Sequence, residues 1–471
     1  MKKIKGKTKA CWSLLFKTLV LLVLSTTLQP SSAYPLSIEE ERALGERFVR
    51  EVRRNFDVVD DKFVNEYING LGKYLASFLE TRYFPFNFYI INDRTLNAFA
   101  GPGGHIFFFT GLIDIMGNAD ELAAVLSHEI AHISARHLQK RLEENRIINV
   151  ATIAGIVAGI LLGGEGGAAL MSGTMAAGAQ ARLAYSREDE RQADQLGVKY
   201  VREAGFDPAG MIPTLKKIQS TRMLGPDSVP PYLLTHPLGP ERISNIEIMV
   251  RSGPRPRDGS REVFVYRKYF PHFKTVLRAK YSDPEDAEAG FREQLEKNPG
   301  STLAHLGLGL VYKRKNEHAL AIKHLKEALR GEPGSKNISI YLGEEYQLLG
   351  QDEQAVPLFL KAMEKDRKDA RAMFLLAKSY QNLEQYEKAI DLLKKLYSMG
   401  YDQEEVFYNL GISYGRLGRL AQAHYYFGIY FRNRNDEEKA LFHLKKAEKL
   451  ARDDLELKNR VRKAMEELPE K

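Results

Sequence analysis

Cysteine is almost missing from this chain. One residue of 471 is cysteine, Cys11, so no disulfide framework is available and the fold rests on its core and its ions. Charge of one sign is also scarce. Lys and Arg number 69 against 61 Asp and Glu, and six of the lysines (Lys2, Lys3, Lys5, Lys7, Lys9, Lys17) fall in residues 1–33, which carry no acid. The remaining 63 basic and 61 acidic residues leave +2, a balance with no claim to nucleic acid as a partner. The apolar run from Leu19 to Leu24, with Lys17 just before it, is too short to span a bilayer. Lysines ahead of it and Ser31-Ser32-Ala33 behind it complete the three parts of a secretory signal peptide cleaved after Ala33. Cys11 precedes that cut, so the exported chain is expected to hold no cysteine.

Against these absences stands His128-Glu129-Ile130-Ala131-His132. On a helix the two histidines lie about 40° apart on one face, where one Zn²⁺ can accept both imidazoles. Glu129, about 100° round, reaches a water on that metal as general base. Asn118 with Glu121 reads as an N-cap pair, and Leu122, Val125, Leu126, Ile130 and Ile133 supply the apolar stripe. H-E-x-x-H also occurs by chance in unrelated chains, so the rest of the sequence must support it.

A zinc hydrolase needs a third protein ligand. His137, nine residues after His128, falls about 180° round a continued helix and faces away, which reads as a helix-surface or buried structural residue. The spacing that would place a histidine at 138 and a glycine at 135 finds Leu138 and Ala135. Further on, Glu190 and Asp194 in Tyr185-Ser186-Arg187-Glu188-Asp189-Glu190-Arg191-Gln192-Ala193-Asp194 are spaced to point one way from a helix, one as ligand and one behind a ligating histidine. Glu188 and Asp189 read as a solvated face. Thr235-His236-Pro237-Leu238-Gly239-Pro240-Glu241-Arg242 offers an imidazole and a guanidinium for an oxyanion, or an imidazole to take the metal's open position at rest.

These motifs, in this order, resemble the HtpX and prenyl-protease group of gluzincin metallopeptidases, the forty-eighth metallopeptidase family. Asn97-Ala98-Phe99-Ala100-Gly101-Pro102-Gly103-Gly104 resembles that family's N-A-F-x-x-P-G-G segment. The resemblance, over about residues 37–250, implies His128, His132 and Glu190 as zinc ligands and Glu129 as catalytic base. It implies Asp194 as outer support, His236 and Arg242 as active-site residues, and one Zn²⁺ per chain. Between the two halves of the site runs a Gly/Ala-rich stretch, 147–180. One membrane crossing there would part His128 from Glu190. Two need about 20 residues each and a turn, more than is available. A pair of closely packed helices over the site is expected, with peripheral membrane contact as the alternative.

From about residue 284 the chain repeats every 34 residues. Leu308, Leu342, Leu376 and Leu410 recur, as do Gly309, Gly343, Ala377 and Gly411, Tyr312, Tyr346, Tyr380 and Tyr414, and Ala321, Ala355, Ala389 and Ala423. This is the tetratricopeptide pattern, small residues where paired helices touch and large ones filling the seam. Peptidase plus repeats is similar to the exported architecture of the beta-barrel assembly-enhancing proteases. That likeness implies the periplasm, protein substrates, and outer-membrane protein assembly machinery as partner of the repeats.

The expected fold is mainly α: a zincin-type helical metallopeptidase domain with a small β meander near Phe86 to Gly111, followed by an α-solenoid. The divisions are a signal peptide at 1–33, the peptidase at 34–250, a linker at 251–281 and repeats at 282–471. The expected function is zinc-dependent endopeptidase action on misfolded or misassembled envelope proteins. The alternative is a repeat-based chaperone or adaptor with a latent or gated zinc site, which gives Glu129 no purpose.

Overall fold

The computed structural model describes residues 37–144, 185–222, 230–254, 260–401, 404–452 and 454–468. The expected signal peptide and the 147–180 stretch lie outside these. Contacts divide the chain into two units. The first takes its described residues from the spans up to Val58, Leu71–Leu112 and Asp120–Gly259. The second takes them from Val59–Gly70, Ile113–Ala119 and Ser260–Lys471. Among the described residues no helix is long and apolar enough to cross a membrane.

The chain enters through helices α1 (Ile38–Asn55) and α2 (Lys62–Ala76). Ser37 caps α1 in a reciprocal box with Glu40, which satisfies two donors at the helix start. A three-stranded sheet follows: β1 (Asn87–Ile91), β2 (Ala98–Ala100) and β3 (His105–Phe109), in spatial order β1-β3-β2. The small sheet was expected, but its order is not that of a simple meander. β3 pairs antiparallel with β2 and parallel with β1. The 92–97 connection carries the chain past the place β3 later fills. The turn from β2 into β3 has Gly103 and Gly104 at φ 73° and 89°, the left-handed region that glycine enters without penalty. A Cβ at Gly104 would come within 2.5 Å of the Pro85 carbonyl oxygen. Every residue of β3 is buried, which is why it reads as a continuous apolar run.

Helices α3 (Thr110–Ile115), α4 (Ala119–Ser134) and α5 (His137–Glu144) follow. Next come α6 (Arg187–Glu203), α7 (Met211–Arg222), α8 (Pro231–Thr235) and α9 (Arg242–Ser252). Gly197 lets α6 lie close on α4: a Cβ there would meet the His128 Cα and N at 3.2 Å.

In the second unit α10 (Arg261–Tyr281) occupies most of the span expected as linker. It buries Val263, Phe270, Phe273, Val276 and Leu277. Phe273 stacks on Tyr67 at 4.5 Å, so this stretch is packed helix. Asp61 ties the same unit together. It accepts from the Val64 amide at 3.0 Å, Lys280 Nζ at 2.7 Å and the Tyr341 hydroxyl at 3.2 Å. Then come paired helices: α11 (Pro284–Lys297), α12 (Thr302–Arg314), α13 (His318–Gly331), α14 (Lys336–Leu348), α15 (Asp352–Lys365) and α16 (Ala370–Asn382). After them follow α17 (Tyr386–Ser398), α18 (Glu404–Arg416), α19 (Leu420–Asn433), α20 (Glu437–Leu450) and α21 (Leu455–Glu466).

The 34-residue register is a packing register. Leu308, Leu342, Leu376 and Leu410 are buried, as are Ala321, Ala355, Ala389 and Ala423. At Gly309, Gly343 and Gly411 a Cβ would lie 2.6–2.7 Å from Leu325, Phe359 or Phe427, so helix meets helix through the missing side chain. The turn inside each pair shares the period. Asn316, Gly350, Glu384 and Gly418 all hold φ between 57° and 72°. Glu384 is the misfit, because a side chain with a Cβ costs about 1–2 kcal/mol there and Asn less. Glu384→Asn, matching Asn316, is expected to stabilise the repeats by about 0.5–1 kcal/mol, read as a raised midpoint in thermal unfolding. An unchanged or lower midpoint would contradict the strain.

Candidate metal centre

Two helices and one short loop build the centre. α4 presents His128 and His132 one turn apart, and their Nε2 atoms lie 3.1 Å from each other. α6 brings Glu190, whose Oε1 is 3.3 Å from His132 Nε2 and whose Oε2 is 3.6 Å from His128 Nε2. The end of α8 brings His236, with Nδ1 2.9 Å from Glu190 Oε1. One donor atom from each of these four residues falls within 4.8 Å of the others, and all four residues are buried. Glu129 shares the space, with His236 Nε2 3.7 Å from its Oε1.

The start of α6 explains how its carboxylates are aimed. Ser186 caps the helix in a box with Asp189, and Asp189 also takes the Arg141 guanidinium at 2.8 Å. Asp189 is buried, so the solvated face expected of it is corrected. Burial pushes its carboxyl upward, but Ser186 and Arg141 hold it well below the usual carboxylate range. Asp194, one turn after Glu190, lies 3.0 Å from His128 Nδ1. Arg242 grips it with two parallel bonds, Nε to Oδ2 at 2.8 Å and Nη2 to Oδ1 at 2.9 Å, and places Nη1 2.5 Å from Glu190 Oε2. Burial alone would raise the Glu190 and Asp194 carboxyls, yet the Arg242 charge and the neighbouring imidazoles keep both low.

His137 is placed differently from the expectation. α4 stops at Ser134 because Arg136 turns left-handed, φ 55°. The chain therefore folds back instead of continuing round the helix. His137 Nδ1 ends 3.0 Å from His132 Nδ1, and its Nε2 lies 3.0 Å from Gln192 Oε1. A consistent proton assignment has His132 Nδ1–H donating to His137 and His137 Nε2–H donating to Gln192, which leaves His132 Nε2 free as a ligand atom. Burial favours neutral imidazoles at both positions. The rings are also clamped, Tyr185 on His132 at 3.8 Å and Tyr232 on His236 at 4.5 Å. His137, Gln192, Tyr185 and Tyr232 were missed as site residues. Only the clustering of Tyr185 and Gln192 around Glu190 hinted at them.

The residues fit a metal ion. Both oxygens of Glu129 and Nε2 of His236 are buried with no hydrogen-bond partner among the described residues. Such groups cost about 1–3 kcal/mol each when left unsatisfied, and here they border two imidazole nitrogens and a carboxylate held ionised. Burial raises the Glu129 carboxyl, with His236 and His128 opposing it.

Fold and centre together have the arrangement of a His-Glu-x-x-His metallopeptidase whose further glutamate comes from a second helix. Residues 63–250 match Peptidase family M48 and residues 358–391 match the tetratricopeptide repeat. It is similar to the Beta-barrel assembly-enhancing protease of Yersinia pestis, 36% identical over 220 residues that make 46% of this chain and 45% of that protein. The protein of that name from Escherichia coli (strain K12) is 33% identical over 218 residues, 46% of this chain and 45% of the relative. The Mitochondrial metalloendopeptidase OMA1 of Arabidopsis thaliana is 29% identical over 188 residues, 39% and 36% of the two chains. Matched this way, the chain spans less than half the length of each of these relatives.

The His137 contact predicts an effect from outside the ligand set. His137→Phe keeps the ring and removes both hydrogen bonds. It is expected to weaken metal affinity about 10–100-fold, measured by competition with a chromogenic chelator, while helical content stays unchanged. Wild-type affinity in that variant would rule out the orienting role.

Proposed function

We propose that this chain is an exported, periplasmic zinc-dependent endopeptidase that hydrolyses peptide bonds in misfolded or misassembled envelope proteins recruited through its repeats. The observation that carries this reading is the convergence of His128, His132, Glu190 and His236 beside a Glu129 whose oxygens have no hydrogen-bond partner among the described residues. His128, His132 and Glu190 would hold the ion, and two imidazoles with one carboxylate suit Zn²⁺. When bound, the ion polarises the scissile carbonyl and lowers the pKa of water beside it. Glu129 takes the proton from that water and delivers it to the departing amine nitrogen. His236 donates Nδ1–H to Glu190, and as the imidazolium it also has an Nε2–H to donate to the carbonyl oxygen as charge develops there.

Arg242 is better suited to positioning than to the oxyanion role left open by the sequence. Its nitrogens engage Asp194 and Glu190, and releasing them would leave two buried carboxylates uncompensated. The names of the bacterial relatives support an envelope setting and an outer-membrane assembly partner, and the repeats suit protein clients.

A second reading of the same centre is favoured by the nearness of His236 to the ligand atoms. Its imidazole can serve as a fourth ligand that substrate must displace, which would gate the peptidase. Casein cleavage by the zinc-loaded chain beside Glu129→Gln tests the peptidase. The variant is expected to bind zinc and lose at least about 100-fold in rate, and equal rates would reject Glu129 as base. His236→Ala separates the two roles: slower cleavage fits oxyanion stabilisation, and faster cleavage fits the gate.

A further inference from the structure

Far along the repeats a cleft of about 220 Å³ opens between α17, α18, α19 and α21. Its floor is apolar and buried: Phe407, Tyr426, Ile429 and Ala464 are each no more than 6% exposed. Its rim is wet and cationic. Tyr397 stands 51% exposed at one side, and Arg432, Arg460 and Lys463 line the other. The acid among the lining residues, Glu467, is taken by Arg432.

Arg460 is the unusual member. Other guanidinium groups that bridge helices in these repeats end on oxygens, Arg371 on Glu344, Arg419 on Glu387, Arg434 on Glu404 and Arg314 on the Ala279 and Ser282 carbonyls. Arg460 instead lies 4.7 Å over the Tyr425 ring. That stacking fixes its plane without neutralising its charge. Among the described residues neither Arg460 nor Lys463 is paired with a carboxylate. A stacked guanidinium and an exposed ammonium thus flank an apolar floor with room for one large side chain.

We propose that this cleft docks an extended polypeptide segment in which an acidic residue neighbours an aromatic one. The aromatic ring enters the floor beside Phe407 and Tyr426, and the carboxylate reaches Arg460 and Lys463. An internal acidic side chain fits better than a chain terminus, because the exposed rim at Tyr397, Asn433 and Lys463 lets a chain continue on both sides. The proposal rests on the reading that the repeats take protein clients, and it names the feature of the client that is held.

The test uses the full chain carrying Glu129→Gln, so that no probe is cleaved. Anisotropy of a fluorescein-labelled Gly-Ser-Glu-Phe-Ser-Gly amide reports binding, with Gln-Phe and Glu-Ser versions as controls. The Glu-Phe peptide is expected to bind about tenfold more tightly than either control, more weakly as salt rises. Lys463→Gln, at an exposed helix position, and Arg460→Gln should each reduce it towards the Gln-Phe value. Lys463→Gln keeps the test sound if Arg460→Gln disturbs the stack on Tyr425. Equal binding of the three peptides, or no effect of Lys463→Gln, overturns the proposal. So does capture by phosphatidylglycerol vesicles or competition by inorganic phosphate with no preference for Glu-Phe, which would assign the cleft to a lipid headgroup or free anion. Casein capture by the same chains is measured separately. Casein held while the Glu-Phe peptide is not would sink the cleft and leave client recruitment standing. Peptide bound at the cleft while casein is not held would do the reverse.

Discussion

Arg242 is the charge on which the candidate metal centre depends. Glu129, Glu190 and Asp194 are buried within one small volume, and acids taken out of water repel one another and protonate unless a cation is built in. The guanidinium supplies it in a directional form. Two parallel bonds fix the plane of Asp194, and the third nitrogen faces Glu190. Asp194 in turn meets His128, so one side chain from α9 orients both carboxylates of α6 and, through one of them, an imidazole of α4. A lysine would deliver the charge without the fork. The first ligand helix is held from its other end by His137, Gln192 and the Tyr185 ring.

The second unit solves a different problem, extending a core by repetition. Each helix pair leaves an apolar face that only the next pair can cover, and the small residue at 309, 343, 377 or 411 sets how closely partners approach. Such construction leaves many surface positions without a packing duty. Side chains such as Arg460, which lies over the Tyr425 ring, therefore stand out against the periodic background.

Much of this was legible in the chain. H-E-x-x-H, the Glu190/Asp194 spacing and the 34-residue register depend on helix periodicity, and periodicity is a property of sequence. What was not legible turned on single backbone dihedrals or on packing between segments distant in sequence. His137 was placed on the wrong side because nothing near Arg136 announces a left-handed residue. Asp189 looked like one more surface acid until α5 brought Arg141 against it. The stretch 261–281 shares its surroundings with a proline- and glycine-rich run and was taken with it as linker, although its aromatics form a packed face.

The sequence by itself determined the residue types at the centre, their grouping on two helices and the repeat architecture, because local spacing decides which side chains share a helix face. Only the tertiary structure decided that Arg242 clasps the carboxylates, that His236 stands among the candidate ligands, and that His137 backs His132. Those relations join segments up to 114 residues apart or hinge on one turn. Distances of that kind are set by how helices pack, which no local pattern encodes.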